Sequence, residues 1–118
     1  MTYYLRIEEL GLKIKYIGYN YYKLTMNVEE VLGSRGRLKI IKALAESKEA
    51  LSLYYLEKKT GVRRKNLRPD ILTLEKNGIV TSVDYGIKKY RLNLELQETI
   101  SLINCLYEMG YISVPVKI

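Results

Sequence analysis

A single glycine, Gly61, stands between two short stretches of helical periodicity. Leu53 and Leu56 anchor the stretch before it, and Ser52 is suited to cap that helix at its start. In the stretch after it, Leu67, Ile71 and Leu74 fall at i, i+4 and i+7, the spacing of one buried face. Glycine adopts the left-handed conformation that ends a helix and reverses the chain. Val62 follows as the apolar plug of the turn. The chain must therefore pack two short helices at a sharp angle around this point.

The flanking segments fit that nucleus. Residues 27–46 read as helix, with Val28, Val31 and Leu32 before a joint at Gly33-Ser34. Ser34 can cap the next turn, after which Leu38, Ile41, Leu44 and Ala45 form one buried face, with Lys39 and Lys42 solvated off it. The helix after Gly61 runs from Arg63 or Arg64 to Asn77, where Asn77-Gly78 ends it. Pro69 lies too deep for a first turn and deletes a backbone hydrogen bond, which predicts a kink between Lys65 and Pro69 or a start later than Arg64. Ile79–Val83 and Lys88–Asn93 are β-favouring runs around Asp84-Tyr85-Gly86-Ile87, a hairpin. A last helix runs from Glu95 to Met109, and its apolar residues cover an arc of roughly 200°. Tyr111–Ile118 reads as an apolar, extended tail. At the other end, Leu12, Ile14 and Tyr16 alternate with lysines as in a half-buried strand, and Tyr21–Thr25 forms a second β run after a turn at residues 18–20. Residues 2–8 suit a further strand or a short helix. Three parts result: a β extension over 1–25, a helix-rich unit with a hairpin over 26–94, and a helix with a tail over 95–118.

Composition narrows the chemistry. The 118 residues contain no His, no Trp and no Phe, and their aromatic content is twelve Tyr. Without His, most zinc sites and the Ser-His and Cys-His nucleophile pairs are excluded. One Cys cannot form an internal disulfide or a thiolate cluster, and it fits a reducing cytoplasm. No apolar run approaches the roughly 20 residues of a membrane helix, and no signal peptide is visible. A tyrosine nucleophile would need a metal or a cationic pocket, and no spacing indicates either. The expectation is a cytoplasmic, basic, non-enzymatic domain without metal or cofactor. Its net charge of +7 is unevenly placed. Residues 51–94 carry ten Lys and Arg against four Asp and Glu, while 95–118 carry one against three. A concentrated basic stretch is the electrostatic footprint of a polyanion binder.

Two helices joined by a glycine turn form a helix-turn-helix unit, and a following hairpin is what a winged variant requires. The run Leu32-Gly33-Ser34-Arg35, continued by Leu38-Lys39-Ile40-Ile41-Lys42-Ala43-Leu44, resembles the first helix of ArsR-like winged-helix transcriptional regulators, of the archaeal or archaeal-virus type. Leu56-Glu57-Lys58-Lys59-Thr60-Gly61-Val62 is similar to that family's positioning helix and turn. Leu67 through Leu74-Glu75-Lys76-Asn77-Gly78-Ile79-Val80 resembles its recognition helix and wing entry. Residues 1–25 and the far C-terminus lie outside the resemblance, and Pro69 departs from it. The resemblance implies an α+β winged helix-turn-helix with an added N-terminal β extension and a C-terminal dimerisation helix. It also implies a dimeric regulator bound to double-stranded DNA.

The residues support that implication on their own. A helix entering the major groove needs long donors near its N-terminus, and here these are Arg63, Arg64, Lys65, Asn66 and Arg68. The bland alternative is a solvated helix start, but cations there oppose the helix dipole and call for a compensating partner. Lys88, Lys89 and Arg91 would place a wing on the flanking backbone or minor groove. They equally suit a protected edge strand. Leu96, Ile100, Ile103, Leu106 and Tyr107 make the last helix too apolar for a monomer surface, and a symmetric partner helix is the simplest cover. Residues 1–25 are the other candidate cover. Cys105 reads as a small buried residue, with a thiol meeting its copy across the dimer as the alternative. The resembled family often senses metals through Cys and His clusters, which this chain lacks. Besides a regulator, a chromatin-like architectural protein without base readout and a winged-helix protein–protein module fit the same pattern.

Overall fold

Short polar residues set the helix boundaries in the computed structural model, which describes residues 14–17, 20–23, 26–84 and 86–114. Asn27 caps helix α1 (Val28–Leu32) by accepting from the Glu30 amide at 3.1 Å, and Glu29 and Glu30 suit its positive end. Ser34 caps α2 (Arg35–Ala45) by accepting from the Arg37 amide at 3.3 Å. Ser52 likewise caps α3 (Leu53–Thr60) through the Tyr55 amide. Gly61 is left-handed, φ 74° and ψ 8°, and its amide closes the α3 terminus on the Glu57 carbonyl at 2.9 Å. A β-carbon there would meet nothing within 4 Å, so the requirement for glycine is one of backbone conformation alone.

Helix α4 spans Arg64–Lys76 with Pro69 inside it. It starts at Arg64 and not later, so the first turn tolerates the proline five residues on. The Leu67 amide still reaches the Arg63 carbonyl at 3.0 Å, and Pro69 has no amide hydrogen to give the Lys65 carbonyl. The hairpin follows as β4 (Val80–Asp84) and β5 (Lys88–Leu92), and α5 occupies Gln97–Glu108. A two-residue strand before α3, β3 (Leu51–Ser52), adds to the hairpin and gives a sheet ordered β3-β5-β4, all antiparallel. The sequence carries no periodicity signal for so short a strand. Near the N-terminus, the strands β1 (Ile14–Ile17) and β2 (Asn20–Lys23) pair antiparallel, Ile17 opposite Asn20. Residues 2–8, Tyr85 and the final four residues, all assigned from sequence above, lie outside the described residues.

The core lies where α2 meets α1, α3, α4 and β5. Leu56, Leu67, Leu74 and Ile79 are fully buried, as the stripes required. Burying each such side chain contributes about 1.5–3 kcal/mol. Helix α2 differs from its expected face. Ile40, Ile41, Ala43 and Leu44 are buried, while Leu38 and Ala45 are only partly so. A helix packed on several sides needs a broader apolar arc than one stripe provides.

Two polar clasps fix the helices. Arg37 donates from Nε to the Glu30 carbonyl at 2.6 Å and from Nη1 to Asp70 Oδ1 at 2.9 Å, joining α1, α2 and α4. A β-carbon at Gly36 would collide with the Asp70 carboxylate, so the glycine permits this approach. Asn77 extends the same clasp by donating to Glu30 Oε1 at 2.8 Å while its own Oδ1 accepts from the Asn27 amide. That hydrogen bond, reinforced by the Lys76 and Arg37 charges, holds the Glu30 carboxyl below its ordinary range. The second clasp ties the segment after α5 to α2. Lys42 Nζ donates to the Tyr111 carbonyl at 2.7 Å and stands 5.0 Å from the Tyr111 ring centre. Glu46 Oε2 accepts from the Ser113 amide at 3.0 Å and hydroxyl at 2.9 Å, which seats Ile112 in the core. Lys42 is thus a structural anchor and not the solvated residue expected.

Arg37→Ala should cost about 2 kcal/mol in urea unfolding, with most of that loss shared with Asp70→Ala in a double-mutant cycle. The second clasp should respond to acid. The Ser113 amide, then its hydroxyl and the Lys42 charge, lower the Glu46 pKa. Its contribution is therefore present above the unfolded carboxylate value and is lost as pH falls through the lowered folded one. Glu46→Gln should lower the thermal midpoint at neutral pH, and the two melting curves should converge on acidification.

Candidate nucleic-acid interface

Leu67, Ile71 and Leu74 point into the core, so the other faces of α4 point out. Arg63, Arg64, Lys65, Asn66 and Arg68 are all exposed. Arg63 occupies the cap position without a side-chain cap bond. Glu57 of α3 takes over that task. Its Oε2 accepts from the Arg64 amide at 3.0 Å, and its Oε1 lies 3.4 Å from Arg64 Nη2. The compensating partner expected for a basic helix start is therefore partly internal, and Arg64 is held back toward α3. Among the described residues, the side chains of Arg63, Lys65, Asn66 and Arg68 have no ion pair.

Arg64 and Arg68, one turn apart, line a cavity of about 530 Å³ between α3, α4 and the hairpin. Lys88, Ile87, Tyr54 and Tyr55 complete its walls. Ile87 is 65% exposed, and the two tyrosines are 49% and 55% exposed. Their rings meet edge-on at 5.2 Å, and Lys58 Nζ stands 5.1 Å from the Tyr54 ring centre. An aromatic pair among cations offers apolar surface and hydroxyls to a sugar-phosphate chain. Sequence reasoning missed these tyrosines. The signal was present, because a helix anchored through Leu53 and Leu56 must turn positions 54 and 55 outward.

The hairpin cations divide. In β5, Lys88 and Tyr90 share the face toward this cavity, whereas Arg91 lines cavities elsewhere with Leu92 and Leu94. Lys89 is partly buried and paired on both sides, opposite Ser52 and Val83. Because β5 is the central strand, edge protection does not account for its lysines.

Three stacked helices, a left-handed glycine between the second and third, and an antiparallel hairpin beside the third decide the architecture. The fold is a winged helix-turn-helix. No family model matches the sequence, and a search of curated proteins finds no match. Solved structures do match. The homodimeric winged helix-turn-helix DNA-binding domain of a possible ArsR-family transcriptional regulator from Mycobacterium bovis aligns at 19% identity and a TM-score of 0.59, covering 70% of this chain and 74% of that one. The transcriptional repressor BigR from Xylella fastidiosa aligns at 24% identity and 0.61, covering 89% and 86%. A possible HxlR-family transcriptional factor from Thermoplasma volcanium aligns at 18% and 0.59, covering 84% and 94%. The shared property is the winged fold, and the three source organisms assign no origin to this chain.

The C-terminal helix of the winged fold corrects two expectations. Ile103 and Leu106, assigned above to a dimer face, are buried in the chain's own core, and Leu96 and Ile100 are partly buried. The broad apolar arc of α5 has one side that covers its own domain. Tyr107 is 40% exposed and Met109 73%, and Cys105 beside them is exposed, not buried. Its Sγ lies 3.8 Å from Met109 Sδ. Among the described residues no helix is long and apolar enough to cross a membrane, and no group of His, Cys, Asp and Glu is arranged to hold a metal. Ile103→Glu should therefore unfold the domain, at about 4 kcal/mol or more, by burying an unpaired charge. Tyr107→Ala, at an exposed position, should leave the secondary structure of the domain intact by circular dichroism.

Proposed function

We propose that this chain is a transcriptional regulator that binds double-stranded DNA as a homodimer and performs no chemistry. Helix α4 enters the major groove, and the β4–β5 wing rests on the flanking backbone or minor groove. The observation that carries this reading is the row of Arg63, Lys65, Asn66 and Arg68, exposed and, among the described residues, without ion pairs on the outer side of α4. Arg reaches guanine edges bidentately, and Asn pairs with adenine. The Arg64–Arg68–Lys88 cavity supports it, because it joins the recognition helix to the wing with cations on both sides. The names of the matched structures agree, and one of them is described as homodimeric. Two copies paired through the exposed side of α5, at Tyr107 and Met109, would present one α4 to each half-site.

Selection of bound fragments from random duplex DNA, followed by competition binding at several salt concentrations, tests the reading. A selected site should retain a large affinity ratio over random DNA as salt rises. Arg68→Ala should weaken the selected site about ten- to a hundredfold. Lys88→Ala should weaken all sequences alike and reduce the salt slope by about one. Equal losses on every sequence for both variants would instead assign an architectural role without base readout. Absence of salt-dependent DNA affinity would overturn the DNA reading and favour a protein–protein module. Sedimentation of Met109→Asp should show monomers if the outer α5 face joins the protomers.

A further inference from the structure

We propose that a second cavity, between α2, the end of α3 and the segment after α5, binds a small organic anion with a flat apolar body, of the aryl carboxylate class. It measures about 460 Å³ and is lined by Lys39, Lys42, Glu46, Lys59, Ala43 and Tyr111, among others. That volume is within the usual range of ligand pockets, about 300–1,000 Å³. It shares no lining residue with the Arg64–Arg68–Lys88 cavity.

The argument is one of unmatched charge. Lys39 and Lys59 reach the cavity from two different helices, both exposed, and neither has an ion pair among the described residues. Lys59 suits the negative end of α3, but Lys39 lies within α2 and gains nothing of that kind. The carboxylate in the wall does not neutralise them. Glu46 Oε2 is occupied by the Ser113 amide and hydroxyl and by Lys42 at 3.6 Å. Lys42 is itself committed to the Tyr111 carbonyl. The wall therefore keeps two cations without an ion pair among the described residues beside the partly buried Tyr111 ring, one side of which carries Lys42. Burial and the Glu46 charge raise the Tyr111 pKa, which keeps that phenol neutral. A compact inorganic anion would use the cations and make no use of the ring. A nucleic-acid backbone needs a row of cations along an open track, and two lysines in a concavity do not supply one. An aryl carboxylate uses both halves, with its charge between Lys39 and Lys59 and its ring against Tyr111.

The test is an amide NMR titration of the whole chain without DNA, using benzoate, its neutral counterpart benzamide, and inorganic phosphate as probes. Benzoate should shift Ala43, Thr60 and Tyr111 saturably, with benzamide and phosphate at least about tenfold weaker. Lys39→Gln and Lys59→Gln should each weaken benzoate several-fold at an unchanged melting midpoint, while Lys48→Gln should not. No saturable shift at these amides would overturn the proposal, as would equal binding of phosphate and benzoate. Shifts there on adding duplex DNA that Lys39→Gln abolishes, with none from benzoate, would also overturn it and make the lysines backbone contacts.

Discussion

The burial of Leu67 fixes most of what this molecule presents to solvent. Once that side chain, with Ile71 and Leu74, is seated against α2 and α3, the rotation of α4 about its axis is set. Arg63, Lys65, Asn66 and Arg68 then point outward because the helix leaves them nowhere else to point. The apolar stripe and the basic outer face are one decision, made by the 3.6-residue period. The Arg37–Asp70 clasp adds a second constraint by holding α4 to α2 through a part-buried ion pair.

Charge is arranged with similar economy. A helix start rich in cations opposes its own dipole, and Glu57 offsets part of that opposition by taking the free Arg64 amide. The remaining cations of that helix start have no ion pair among the described residues. Their excess is tolerable because they are exposed, where the dielectric is high and salt screens them. The same exposure leaves them open to a polyanion.

Much of the fold was legible because its signals are local. Ser34, Ser52, Gly61 and Asn77 are boundary residues whose preferences arise from their own backbone and side chain, and each stands at a boundary. The stripe of α4 was legible for the same reason. What escaped depends on partners distant in sequence. Ile40 is buried because α2 is surrounded, and Lys42 is anchored by a carbonyl 69 residues away. Of the two outcomes expected from Pro69, the later start does not occur, because the burial of Leu67 and Ile71 on either side of it outweighs a local penalty. Ile103 and Leu106 misled, since an apolar arc does not say whether its cover is another chain or its own domain. The Tyr54–Tyr55 pair was readable in principle from the anchors beside it, but the wall it forms with Ile87 and Lys88 depends on the hairpin's placement.

The two residues of β3 have an effect out of proportion to their number. Leu51 and Ser52 pair with Tyr90 and Lys89 of the wing, and Ser52 is also the cap of α3. A single dipeptide thus belongs to the sheet and to the helical part together. Tilting the hairpin must drag the beginning of α3 with it, and with α3 go Tyr54 and Tyr55. The wing is therefore braced against the helical body through β3, and the two sides of the groove share that dipeptide as a common support.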